Sequence, residues 1–178
     1  MAQREAIVQQ ALSYVRHQAA KSMDDLAALM ERTAVDCDRS VDGVSDRQGA
    51  FVYDQEWSIK EVLGHLLLSL SAVNEDLAGV AEGGESHAFY GEGPFGKSPT
   101  SGGDRSILEL RKALADSWSE TIGLARSLSE QAGRKPVPEH PVFGPLNVKE
   151  WIVFQRLHAL DHVQQIERVR AAGGYPKI

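Results

Sequence analysis

Residues 147–170 read NVKEWIVFQRLHALDHVQQIERVR, followed by Gly173-Gly174. Asn147 stands three residues before Glu150, the spacing of a capping box, in which each side chain accepts from the other residue's free backbone N–H. No Gly or Pro interrupts the run, so the stretch is predicted to be one helix from Asn147 to about Ala172, closed by the glycine pair. A helical wheel with Val148 at zero puts Trp151, Ile152, Phe154, Ala159, Ile166 and Val169 within about 240° to 40°. His158 falls near about 280° and His162 near about 320°, in the middle of that apolar face. The charged residues Lys149, Glu150, Arg156, Asp161, Glu167 and Arg168 fall elsewhere and are expected to face outward. Val153, Leu157 and Leu160 make a second apolar stripe, suited to a neighbouring loop or helix, or to a homodimer surface.

Two imidazoles on a buried face need partners, because an unpaired polar group in a core costs roughly 1–3 kcal/mol. At i and i+4 they stand about 40° apart and one turn along the axis, so both can reach one metal ion. The alternative is a pair of core histidines satisfied within the protein. A third ligand is available in His65. It lies in a second predicted helix, opened by the capping box Ser58-Ile-Lys-Glu61 and running to about Val80. Val62, Leu66, Leu70, Val73 and Leu77 form the main apolar face of that helix. His65 sits at the edge, in a lane with Ser69, Ala72 and Asp76, small and polar as the wall of a pocket is.

Two further helical segments complete the pattern. One runs from about Arg4 to Cys37, with a break expected at Lys21-Ser22. The other starts near Asp104 or Ser106, puts Ile107, Leu110, Leu114, Trp118, Ile122, Ala125 and Leu128 on one face, and stops near Gly133, where Pro136, Pro138 and Pro141 prevent its return. SVDGVSDRQGA, from Ser40, reads as a polar loop. With four long amphipathic segments and no convincing strand, the expectation is all-α: one domain over residues 1–178, an antiparallel four-helix bundle. The connection from Gly83 to Asp104 is longer than most in bundles.

Charge and composition exclude several classes. A net charge of −6 and a pI near 5.5, with no basic cluster, leave nothing to neutralise phosphates, so no nucleic-acid partner is expected. The longest apolar stretch, Val62 to Val73, is too short to span a bilayer, and MAQREAIVQQ has no signal-peptide core; a cytoplasmic protein without a membrane partner is expected. Cys37 is the single cysteine. With no base nearby it reads as a small buried residue. Residues 91–98, GEGPFGKS, match a phosphate-binding loop, but no core strand enters and Gly102-Gly103 spoils the helix that should leave, so the match is put down to glycine content.

WSIKEVLGHLLLSL and HPVFGPLNVKEWIVFQRLHALDHVQQIERV, in this order and separation, resemble the first and last histidine helices of the DinB-like superfamily, in its YfiT-like branch of proposed metal-dependent hydrolases. The second segment carries the His-Pro and Phe-Gly lead-in, the Trp and H-x-x-x-H-x-x-Q-I. The resemblance implies a four-helix bundle and a divalent metal, zinc or nickel, on His65, His158 and His162. It also implies a small-molecule substrate, and often a homodimer. Relatives transfer low-molecular-weight thiols such as bacillithiol or mycothiol, or isomerise with mycothiol as cofactor. The first expectation is therefore a metal-dependent thiol S-transferase with such a thiol as co-substrate. A metal-dependent hydrolase and a non-catalytic metal- or ligand-binding stress-response protein are the alternatives. Gln155, near about 340° on the inward face, is a candidate ligand contact or a polar core residue. Asp161 lies outside the inward sector and is not taken as a base. His140 reads as a turn or packing residue, and His17 and His87 have no local support as ligands.

Overall fold

The computed structural model describes residues 2–83, 103–140 and 142–177. GEGPFGKS, His87 and most of the Gly83–Asp104 connection lie outside them. The elements run α1 (Ala2–Ala19), α2 (Met23–Ser40), α3 (Asp46–Gly49), α4 (Ile59–Ala81), α5 (Ile107–Ser127), α6 (Glu130–Gly133), β1 (Pro136–His140), β2 (Gly144–Asn147) and α7 (Val148–Arg170). The expected break in the first segment falls where the sequence placed it: Ser22 caps α2 by accepting from the Asp25 N–H. Both expected capping boxes are present, Ser58 with Glu61 and Asn147 with Glu150.

Three expectations need correction. The polar loop after Ser40 contains the single turn α3, started by a capping box of Ser45 and Gln48. The third helix ends at Ser127, six residues before Gly133; Leu128 is extended, and α6 restarts on Ser129. A small antiparallel hairpin, β1 with β2, also precedes α7. Its register slips between Val137 and His140, and Gly144 supplies the positive φ of its turn.

The long helices α2, α4, α5 and α7 form the four-helix bundle, and α1 lies against α7. Cross-links between the helices give their directions. Asp46 accepts from the Ile107 N–H and pairs with Lys60, tying the start of α5 to the start of α4. Further along, Asn74 bonds the Ser117 carbonyl and Thr121, so α4 and α5 run the same way. Thr33 with Arg156 and Ser40 with Arg170 make α2 and α7 parallel as well. Arg111 with Asp38 and Arg126 with Glu31 show α2 antiparallel to α5. Glu56 with Gln165 at one end, and Lys135 on the Val80 carbonyl at the other, show the same for α4 and α7. The chain therefore goes up, down, down, up. Because α4 and α5 are parallel, the end of α4 and the start of α5 lie at opposite ends of the bundle.

The core is continuous, with Leu26, Met30, Leu63, Leu77, Leu110, Trp151, Ile152 and Ile166 fully buried. Val153, from the second stripe of α7, is also fully buried, and Leu157 packs against the same core. Leu160, the third residue of that stripe, is half-buried. Lys149, expected outside, is buried. Its ammonium donates to Glu130 and the Lys21 carbonyl, and Glu130 in turn accepts from the Met23 N–H, so one salt bridge gathers α2, α6 and α7. A buried cation is tolerated because its donors are used. Among the described residues no helix is long and apolar enough to cross a membrane.

Candidate metal centre

His65 comes from the second turn of α4, and His158 and His162 from the middle of α7. Because these helices run antiparallel, the three positions fall at one level of the bundle. The Nε2 atom of His158 lies 3.1 Å from Nε2 of His65 and 3.1 Å from Nε2 of His162. One nitrogen from each ring falls within 4.8 Å of those of the other two. The structure thus brings together all three candidate ligands, 93 residues apart between His65 and His158.

The donor set fits a divalent ion. Two nitrogens each about 2.0–2.1 Å from one ion, at angles of roughly 90–110°, stand about 2.9–3.4 Å apart. Metal ligation also needs neutral imidazoles, and burial supplies them. It lowers His65 to about 4, aided by the neighbouring His162. It depresses His158 strongly, with His162, His65 and His140 adding repulsion. His162 is lowered by burial too, partly offset by its bond to Gln165. Three neutral rings aimed at one point, with lone pairs to share and few protons between them, are what a cation would satisfy.

Aromatic side chains wall the cluster. Trp57, just before the α4 cap, stacks on His162 with the rings 12° from parallel and the centroids 6.0 Å apart. It also meets His65 edge-on at 4.9 Å. Phe154, one turn before His158, stacks on that ring at 5.7 Å and 6°. His140 completes the wall behind Phe154, at 4.6 Å, and also packs on Phe143 and Trp151. Its Nδ1 accepts from the N–H groups of Val142 and Phe143, closing the hairpin turn, and burial lowers it to about 4. It is the turn and packing residue the sequence suggested.

Outside the ring of ligands, the Nδ1 of His162 lies 2.8 Å from Oε1 of Gln165, whose Nε2 donates to Glu56 at 2.9 Å. Glu56 also faces Arg168 at 3.7 Å. Gln165 stood in the motif H-x-x-x-H-x-x-Q-I without an assigned role, and its i+3 spacing from His162 was the available signal. Glu56 gave none, since it reaches the site only through the fold, and Trp57 stood at the head of the segment WSIKEVLGHLLLSL without an assigned role.

The remaining candidates separate cleanly. Gln155 is buried, 2% exposed, and its Nε2 has no hydrogen-bond partner among the described residues. Asp161 and His17 are exposed and outside the cluster. Burial raises the Cys37 thiol to about 12, with Asp36 adding to the shift, so it is no nucleophile. On α4, Ser69 and Asp76 are half-buried and Ala72 exposed, so the lane beyond His65 is partly open.

Known proteins place this arrangement in context. No curated protein matches the chain. Among solved structures, YfiT from Bacillus subtilis, described as a probable metal-dependent hydrolase with an unusual four-helix bundle topology, superposes with a TM-score of 0.68 over 86% of this chain and 89% of its own, at 15% identity. That likeness is one of fold. The model of the DinB superfamily matches residues 29–166, from within α2 to near the end of α7 and across all three histidines, and the chain belongs to that superfamily.

Proposed function

We propose that the protein is a metal-dependent enzyme acting on a small molecule, with His65, His158 and His162 as the ligands of one divalent ion, zinc or nickel. The convergence of the three Nε2 atoms, with His158 3.1 Å from both others, is the observation that carries this reading. An ion there would supply Lewis acidity, bringing the pKa of a thiol or water it holds toward neutrality. The chain's own part is to keep three imidazoles neutral, fix their directions and exclude bulk water with Trp57 and Phe154.

Transfer of a low-molecular-weight thiol to an electrophile is the reaction this environment supports best. Hydrolysis generally calls for a side chain to relay a proton to the leaving group. Among the described residues the cluster holds imidazoles and aromatic rings, and no carboxylate joins it. The nearby carboxylate of Glu56 is bonded to Gln165. A thiol, acidified directly, needs no such relay, and the aromatic wall suits sulfur. A hydrolase is the second reading, favoured by the description of YfiT.

The test is an assay of zinc- and nickel-loaded protein with bacillithiol or mycothiol and an electrophile such as monochlorobimane, beside ester and amide substrates without thiol. Metal-dependent thiol consumption, lost in His158→Ala, is the expected result. Turnover of the esters or amides alone would move the assignment to hydrolysis. Activity in neither assay, with metal and ligand binding intact, would leave a binding protein.

A further inference from the structure

We propose that Glu56 is a positioning residue for the metal centre: acting through Gln165, it fixes which nitrogen of His162 carries the proton. This rests on the metal-site reading above. Glu56 belongs to the turn before α4, whereas Gln165 and His162 lie on α7. The chain of contacts is Glu56 Oε2, Gln165 Nε2, then Gln165 Oε1 and His162 Nδ1, with spacings of 2.9 and 2.8 Å.

The donor and acceptor inventory leaves one arrangement. A carboxylate only accepts, so Gln165 must turn its NH2 toward Glu56. Its carbonyl oxygen then faces His162 and can only accept. Nδ1 of His162 must therefore be the protonated nitrogen, and Nε2 keeps its lone pair on the side of His65 and His158. The two faces of a carboxamide are nearly the same shape, so Gln165 alone does not choose. With Glu56 gone it can rotate, offer N–H to Nδ1 and move the ring proton to Nε2, where it blocks ligation. Arg168, 3.7 Å from Glu56, holds the carboxylate in place, and Trp57, the next residue, covers the His162 ring.

The test compares wild type, Glu56→Leu, and Glu56→Leu combined with Gln165→Glu, with Glu56→Ala as a second removal should Leu disturb folding. A glutamate at 165 accepts in either orientation, so the double variant no longer needs Glu56. The first readout uses metal-free protein: 15N spectra of the His162 imidazole, which distinguish the two tautomers. Wild type is expected with the proton on Nδ1, the single removals shifted toward Nε2, and the double variant restored. The second readout is zinc affinity by chelator competition, expected to fall about 10–100-fold on removal and return to within a few-fold of wild type in the double variant. An unchanged tautomer and affinity in both removals, or a double variant that restores neither, overturns the proposal. The tautomer readout decides even if no metal binds, which keeps it separate from the reading it rests on.

Discussion

Zinc should stabilise this protein, and the replacement His158→Ala should remove most of that stabilisation. An ion that binds only the folded chain adds RT ln(1 + [L]/Kd), about 2.7 kcal/mol at a hundredfold excess over Kd. For a chain of 178 residues each kcal/mol moves Tm by about 2–4 °C, so a rise of about 5–11 °C is expected. His158 is the nitrogen that lies 3.1 Å from both of the others, so its loss breaks both short spacings. Losing even an outer-shell partner typically weakens binding 10–100-fold. Taking the upper value as a minimum for a direct ligand, zinc at the same concentration adds about 0.4 kcal/mol, a rise of about 1 °C. The assay is thermal unfolding by circular dichroism near pH 7.5, with and without zinc, on chelator-treated protein. The shift is taken within each variant, which cancels any change in apo stability. His17→Ala, on the exposed side of α1, should keep the full shift. A wild type unmoved by zinc and nickel, or a His158→Ala variant that shifts as wild type does, would refute the reasoning.

Acid should weaken the metal-free fold over a defined window. His140 and His65 are held at about 4 in the folded state against 6.5 ordinarily, so below 6.5 the unfolded chain binds the extra protons and stability falls until about pH 4. The slope for buried His140 alone approaches about 1.4 kcal/mol per pH unit, and the three cluster histidines act in the same direction. Urea unfolding between pH 7 and 4 measures it, and a flat profile would contradict the burial argument. Gln155→Leu removes a buried donor without a partner among the described residues, and Tm should rise by about 2–4 °C for about 1 kcal/mol, metal content unchanged; a marked fall would mean that the amide is satisfied in the fold. Ser58→Ala breaks the cap of α4 and should cost about 1 kcal/mol by urea titration, while an unchanged midpoint would show the cap to be redundant.

What was legible in the sequence was whatever rests on neighbours along the chain. The Ser22, Ser58 and Asn147 caps, the inward direction of His158 and His162, and the break between α1 and α2 all follow from spacings of three and four residues. α3 and α6 were missed because one turn leaves almost no periodicity to read. β1, PVPEH, was missed because two prolines in five residues argue against a strand, and only the free edges of a two-stranded hairpin tolerate them. Lys149 was misplaced because a charge on a wheel reads as solvent-facing, and its acceptors, Glu130 and the Lys21 carbonyl, come from other elements. Helix directions and the Glu56–Gln165 contact, 109 residues apart, belong to tertiary structure, and no local pattern encodes them.

The distance along the chain between the ligands also sets a timetable for the molecule's birth. A ribosome that has made everything up to the hairpin has released one of the three histidines of the cluster, and a solitary imidazole holds zinc weakly. The second and third arrive together on α7, and the turn holding Glu56 has been waiting since before α4. Capture of an ion at the proposed site would therefore wait until α7 lies down antiparallel to α4. A chain cut before Val148 would keep one of the three proposed ligands, and a chain that failed to seat α7 would be recognisable by the metal it did not carry.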